Sequence, residues 1–404
     1  MIVGGGLAGA TAALTLRRGG FDGRVVIVCA EEHPPYSRPP LSKAVVRGES
    51  PPEKTHLRPP RIWKSNQIEL LSGVAGVSLD PGAHSLDLSD GTTLGYDKLL
   101  VATGGVARRL PGAVGVDTVQ TLRTIEDALA LREHLSRGRS LAVIGAGFIG
   151  AELAASAVMV GAPVTVLEAL PLPLARVLPP FLGELYARLH RERGVDLRTG
   201  VGMARVQARR SGVTVSDADG NRVAADKVLV AIGIELDLHL AQNAGLETGD
   251  GIMVDQFCRT SAPDVFAAGD IANHPNPLLG RRLRIEHWQH AQHQGAAAAW
   301  NMLDRAEPFA EVPWLWTEQY EFNLQIAGLP EPSDRIVLRG DADALDFVAF
   351  LVRDGRLAAV VGVNRPDEVR AGRTLIAQHA SPSDAKLADP DFDLATLTAS
   401  EADA

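Results

Sequence analysis

Two glycine-rich turns carry the residue types that bind a dinucleotide. The first is Gly4-Gly5-Gly6-Leu7-Ala8-Gly9, the second Gly145-Ala146-Gly147-Phe148-Ile149-Gly150. In each, the first glycine allows a tight turn. The second lets backbone approach a pyrophosphate, and the third lets the following helix pack closely. The N-terminus of that helix then offers N–H groups and positive potential to the phosphates. Such a site also needs an acid for the ribose about 20 residues on. Glu31 stands at that distance from Gly9, with Glu32 as the alternative, and Glu168 stands there from Gly150. Ala169 and Leu170 follow Glu168, so no adjacent arginine offers itself to a 2′-phosphate, which favours NADH over NADPH. Arg176 is the nearest residue able to overturn this. Two dinucleotide sites in one chain suggest two cofactors that meet, one of them a flavin.

Other reactive residue types are sparse. Cys29 and Cys258 are the only cysteines, with no C-x-x-C pair, so both read as buried small hydrophobes in a reducing compartment, the cytoplasm. His287, His290 and His293 are spaced by three, which drifts around a helix, and no carboxylate or cysteine completes a ligand set. The chain therefore reads as metal-free.

The elements around these residues follow a repeated plan. Met1 to Val3 is an apolar run, shorter than a usual first strand, so the start reads as truncated or misassigned. A small-residue helix follows to about Arg18, then a β-branched strand over Val25 to Val28. Lys98 to Gly105 is an apolar strand closed by glycines. The pattern restarts with a strand at Leu141 to Ile144, a helix over Glu152 to Val160 and a strand at Val164 to Leu167. Lys227 to Gly233 parallels Lys98 to Gly105. Val265 to Asp270 reads as a return to the first domain, so the second copy is inserted in the first. From about Pro313 the patterning is antiparallel, with a hairpin at Asp354-Gly355. The predicted architecture is α/β, with two Rossmann-type domains and a C-terminal α+β domain, glutathione-reductase-like. Its boundaries are 1–109 and 236–312 for FAD, 110–235 for NAD, and 313–404 for the last domain. The end from about Ser381 is acidic and reads as a loosely held tail.

Bulk properties agree. The 404 residues suit two or three domains. The net charge of −9 argues against a nucleic-acid binder. No apolar stretch is long enough to span a bilayer.

Pro39-Pro40-Leu41-Ser42-Lys43, Ala102-Thr103-Gly104-Gly105, the second glycine turn, Ala268-Gly269-Asp270 and Trp314-Leu315-Trp316-Thr317-Glu318-Gln319-Tyr320 occur in this order. Together they make a chain that resembles the FAD-dependent ferredoxin reductases of bacterial cytochrome P450 and aromatic-ring dioxygenase systems. The resemblance implies hydride transfer from NADH to FAD and single-electron transfer to a [2Fe–2S] ferredoxin. It implies three candidate catalytic residues. Lys43 would lie near flavin N5, Phe148 would gate the nicotinamide face, and Glu152 would meet the nicotinamide side. Around FAD it implies Gly4, Gly6, Leu7, Ala8, Gly9, Glu31, Arg38, Ala102, Thr103, Gly104 and Arg123. It adds Asp270 on the ribityl chain, Trp288 at the pyrimidine edge and Trp316 covering the flavin. Around NADH it implies Gly145, Gly147, Ile149, Gly150, Glu168 and Gly233. Lys43 has the alternative of an ordinary helix-start lysine, Arg123 that of capping a surface turn, and Trp314 and Trp316 that of plain core. Ile234-Glu235-Leu236-Asp237 replaces the proline-asparagine pair usual in that family.

Rival readings are a thiol-based enzyme of the same fold, a reductase of another acceptor such as a rubredoxin, and a partner-binding flavoprotein like apoptosis-inducing factor. An acidic ferredoxin would need a local basic surface, for which Arg281, Arg282 and Arg284 form the densest cluster, with Arg58, Arg61 and Lys64 as a second.

Overall fold

The computed structural model describes residues 1–111, 113, 117–209 and 212–397. Its chain divides into two units: Met1–Ser37, Glu53–Val106 and Glu235–Pro313 form the first, and Arg38–Pro52, Ala107–Ile234 and Trp314–Ala404 the second.

The first unit is built on a parallel sheet in the order Val265–Ala267, Leu99–Val101, Ile2–Val3, Val25–Cys29, Ile68–Ser72. Its inner strands Ile2–Val3, Val25–Cys29 and Leu99–Val101 are almost wholly Val, Ile and Leu because the middle of a parallel sheet is covered on both faces. Ile2, Ile27, Leu99 and Leu100 are fully buried. The strand Val265–Ala267 joins this sheet after the whole second glycine motif has passed, so the insertion read from the sequence is a property of the fold. On one face, helices Leu7–Arg18 and Trp288–Met302 pack closely, and a Cβ on Gly295 would collide with the Ala8 backbone. A small antiparallel sheet, Gly76–Asp80, Ser85–Leu88 and Thr93–Gly95, stands between strands Ile68–Ser72 and Leu99–Val101 in the chain.

The second unit repeats the plan. Asp196–Arg198, Val164–Leu167, Leu141–Ile144, Lys227–Val230 and Val119–Gln120 form a parallel sheet in that order. The C-terminal part is a five-stranded antiparallel sheet, ordered Trp314–Gln319, Phe322–Gly328, Arg356–Val363, Asp346–Arg353, Arg335–Asp341. Asp354 and Gly355 both have positive φ, 49° and 77°, which gives the hairpin a turn whose twist matches its strands. The acidic end differs from expectation. Leu387, Leu394 and Leu397 are buried, and the Arg339 guanidinium donates to the carbonyls of Leu387, Lys386 and Phe392. Three well-spaced leucines outweigh the local acidity; residues 398–404 lie outside the described residues.

Among the described residues no helix is long and apolar enough to cross a membrane. The first unit buries His274, beside His290 and Phe309. Burial holds His274 and His287 down at about 4, against an ordinary 6.5, and holds His290 down as well. A depressed histidine favours the folded state above the unfolded pKa. That stability is lost as pH falls from about 6.5 through 4, at about 1.4 kcal/mol per histidine per pH unit. Urea unfolding should therefore show markedly lower stability at pH 5 than at pH 7.5, and equal stability would contradict the buried neutral histidines.

Candidate active site: two glycine cradles and a buried ion pair

The first cradle follows from the first unit's packing. Gly4 has φ +122, and a Cβ there would run into the Ala102 carbonyl oxygen. A Cβ at Gly9 would meet the Gly4 carbonyl. Gly6 is different, with nothing within 4 Å of where its Cβ would stand. The turn is closed at its first and third glycines and open at its second, the shape a pyrophosphate needs. Gly6 gives helix Leu7–Arg18 no side-chain cap, and the first turn holds no acid. Its leading N–H groups and positive dipole end suit an anion. The Ala102-Thr103-Gly104 turn abuts Gly4, and Glu31 lies two residues beyond strand Val25–Cys29, where it accepts the Tyr36 hydroxyl at 2.5 Å. Glu32 is exposed. Asp270 follows Gly269, whose N–H donates to Gln294 Oε1 at 2.8 Å. Trp288 opens its helix, and its indole N–H donates to Ser37 Oγ at 3.0 Å.

The second cradle, in the second unit, repeats these relations. A Cβ on Gly145, φ +97, would lie 2.5 Å from the Ala231 carbonyl oxygen, and one on Gly150 would strike the Gly145 carbonyl. Around Gly147 the space is open. Helix Phe148–Met159 again has no side-chain cap and no acid in its first turn. Ile149 is exposed at its start. Glu168 directly follows strand Val164–Leu167. Its Oε2 accepts the Ala146 N–H at 2.5 Å and its Oε1 the Leu170 N–H at 2.8 Å, so the acid is fixed to the glycine turn itself. Gly233 has φ +96 and its carbonyl accepts the Arg108 N–H.

Beside this cradle lies a buried polar cluster. Phe148, Glu152 and Ser156 are four apart and share one helix face. Lys43 Nζ pairs with Glu152 Oε2 at 2.8 Å, with both side chains under 10% exposed. Ser42 Oγ donates to the same oxygen at 2.5 Å, and Thr317 Oγ1 donates to Glu152 Oε1 at 2.8 Å. Ser156 Oγ donates to the Ser42 carbonyl at 2.7 Å, tying the Pro39–Ser42 turn to the helix. A buried carboxylate is tolerated only with such a full set of partners. Phe148 packs on the apolar cluster that contains Leu315 and Leu324.

Arg38 donates to the Arg123 carbonyl at 2.5 Å. The Arg123 backbone N–H donates to Asp127 Oδ2, in the capping box of helix Ile125–Ser136. Trp316 is half-buried and stacks on Trp314 at 5.2 Å, on the strand face opposite Thr317. Cys29 and Cys258 are free and buried in one core. Burial pushes the Cys29 thiol up to about 12 and Cys258 higher still, so neither is a ready nucleophile. His293 pairs with Glu311, and among the described residues no cluster is suited to a metal. The arginine cluster is less available than its sequence suggested. Arg282 donates to Asn273 and the Val254 carbonyl, and Arg284 pairs with Asp250 and Glu286. Ser42 and Thr317 lay inside recognised motifs without an assigned role, and the buried His190 carried no sequence signal.

The chain belongs to the pyridine nucleotide-disulphide oxidoreductase family, whose model matches residues 1–295; a reductase C-terminal model matches 314–398. Within that class it is 41% identical, over 98% of each chain, to the ferredoxin–NAD(+) reductase component of the anthranilate 1,2-dioxygenase system of Burkholderia cepacia. It is 36% identical to putidaredoxin reductase of Pseudomonas putida, over 99% of this chain and 96% of that one. Among solved structures, the covalent putidaredoxin reductase–putidaredoxin complex superposes with a TM-score of 0.94 at 36% identity, covering 97% of this chain and 96% of that chain. The ferredoxin reductase for the CYP199A2 system of Rhodopseudomonas palustris also gives 0.94, at 35% identity, covering 97% and 98%. Despite the family's name, this chain has two cysteines and no adjacent redox pair.

Proposed function

We propose that this chain is an NADH:ferredoxin reductase that holds FAD and passes electrons from NADH to a [2Fe–2S] ferredoxin, which serves a cytochrome P450 or an aromatic-ring dioxygenase in the cytoplasm. The observation that carries the reading is the pair of equivalent cradles, open at Gly6 and Gly147 and closed at Gly4, Gly9, Gly145 and Gly150. The chain-long similarity to reductase components of such systems supports it.

The residues fit the groups. Gly4, Gly6, Leu7, Ala8 and Gly9 would hold the FAD pyrophosphate, with Glu31 on the ribose. Ala102, Thr103, Gly104, Asp270 and Trp288 belong to the same unit and would supply further FAD contacts; Arg38, Arg123 and Trp316 are assigned to FAD by resemblance. Gly145, Gly147, Ile149 and Gly150 would hold the NADH pyrophosphate, Glu168 its ribose hydroxyls, and Phe148, Glu152 and Gly233 the nicotinamide end. The chemistry FAD supplies when bound is conversion between two-electron and one-electron transfer. The protein's part is binding, orientation and electrostatics. Lys43 brings a positive charge that Glu152 keeps in a fixed place. Thr317 and Ser42 keep the carboxylate from turning. No side chain need act as an acid or base.

Glu168 is committed to the glycine turn and has no basic neighbour in sequence, so a 2′-phosphate would meet a carboxylate. NADH should exceed NADPH in kcat/KM by at least about tenfold, about 1.4 kcal/mol. Comparable values with ferricyanide as acceptor would contradict the assignment of Glu168. The reading as a whole is tested by isolating the protein with its flavin and adding NADH without oxygen: the flavin absorbance should bleach at one NADH per FAD. A preparation that binds no flavin would end the proposal.

A further inference from the structure

Glu152 is the inner end of a hydrogen-bonded chain that runs through the second unit to its surface. Gln319 Nε2 donates to Thr317 Oγ1 at 3.3 Å, and Thr317 Oγ1 donates to Glu152 Oε1 at 2.8 Å. Gln319 Oε1 lies 2.8 Å from His190 Nε2, and the Tyr320 hydroxyl lies 3.0 Å from His190 Nδ1. An amide oxygen only accepts, so His190 carries its proton on Nε2, and Nδ1 accepts from the tyrosine. Every donor in the chain therefore points towards Glu152. Glu152, Thr317, Gln319 and His190 are all buried.

The chain is held at its outer end. Tyr320 has φ +58, a left-handed conformation that favours glycine. The Arg193 guanidinium stands 5.1 Å over its ring. Burial holds His190 neutral, down at about 4, which preserves the tautomer that the chain requires. Thr317 and Gln319 share the buried face of strand Trp314–Gln319. His190 comes from helix Pro180–Glu192. The chain thus ties the C-terminal sheet and that helix to one oxygen of Glu152.

The geometry points to Gln319 and His190 as positioning residues that set the plane of the Glu152 carboxylate for the nicotinamide of NADH. Thr317 has one proton to give. Because Gln319 already supplies a donor to its oxygen, the Thr317 proton is directed to Glu152 Oε1. Ser42 and Lys43 occupy Oε2, so both oxygens are fixed and the carboxylate cannot rotate. Without the Gln319 amide, Thr317 is free to turn its proton away. The inference rests on the proposed placement of Glu152 at the nicotinamide end.

The test uses the full-length, FAD-loaded enzyme, with the dissociation constant for NAD+ measured by calorimetry, KM for NADH set against kcat with ferricyanide, and the melting temperature. Gln319→Leu should raise the NAD+ dissociation constant and the NADH KM by about fivefold, the value of one lost hydrogen bond, with kcat changing less. Thr317→Val should do the same, Thr317→Ser should stay near the parent, and the double variant Thr317→Val/Gln319→Leu should be no worse than Thr317→Val alone. If Gln319→Leu does not yield loaded enzyme, Tyr320→Phe, which removes only the outer hydroxyl, should move both constants in the same direction. A Gln319→Leu enzyme with a lower melting temperature but unmoved NAD+ affinity and KM would overturn the inference, as would multiplying effects in the double variant. Glu152→Gln separates the two levels. If it leaves NAD+ affinity and KM unchanged, the placement of Glu152 itself fails; if it raises them while Gln319→Leu does not, only the positioning role fails.

Discussion

Replacing Lys43 by methionine is expected to destabilise the FAD-loaded protein by about 3–5 kcal/mol. Glu152 is 4% exposed, and Lys43 is its cationic partner. Ser42 and Thr317 would still donate to the carboxylate, but hydrogen bonds from hydroxyls do not replace a neutralising charge in a medium of low polarity. Removing both charges should be milder. The double change Lys43→Met/Glu152→Leu leaves no buried ion and costs only the two hydroxyls their acceptor. Urea unfolding at saturating FAD gives the comparison. A single variant within about 1 kcal/mol of the parent, the ordinary worth of an exposed pair, would show that this pair is not buried in solution.

The second large effect separates the two cradles. Gly147→Val is expected to leave the fold and the FAD content intact while weakening NAD+ binding at least about 100-fold, about 2.7 kcal/mol. The backbone at Gly147, φ −73 and ψ −170, is one that valine adopts without strain, and no protein atom stands where its Cβ would go. The added side chain would fill the space of a phosphate. Gly6→Val has the same local geometry, φ −76 and ψ −174, and the opposite expectation: a protein that loses FAD. Flavin absorbance and NAD+ calorimetry on the two variants read this directly. Loss of FAD from Gly147→Val, or its retention by Gly6→Val, would exchange or erase the assignments.

Much of this was legible in the sequence because backbone stereochemistry leaves few choices. Gly4 and Gly145 are held at positive φ against a neighbouring carbonyl, and no other residue meets both demands, so the two turns announce themselves. The inserted copy showed in the same way, through apolar runs, Lys98 to Gly105 and Lys227 to Gly233, that are closed by glycine. The hairpin at Asp354-Gly355 was set by two adjacent positive φ values. What stayed hidden depends on contacts far apart in the chain. Glu152 and Lys43 are separated by over 100 residues, and no spacing rule links them. His190 lies on an amphipathic helix, where a buried histidine looks like any other inward position. The acidic end misled because its net composition is polar, while its packing rests on Leu387, Leu394 and Leu397 and on the reach of Arg339. Arg282 and Arg284 read as free charge, although Asn273, Asp250 and Glu286 engage them.

Electron transfer from NADH to a ferredoxin is what the two cradles and the buried ion pair serve. Its most direct test mixes the FAD-loaded enzyme, without oxygen, with limiting NADH and an excess of a [2Fe–2S] ferredoxin from a dioxygenase or P450 system, following the iron–sulfur absorbance. Electron balance requires two ferredoxins reduced for each NADH consumed; the wild-type enzyme should reach that ratio within catalytic turnover, and Gly147→Val should approach it far more slowly. Flavin bleaching by NADH with no change in the iron–sulfur spectrum over many equivalents would contradict it.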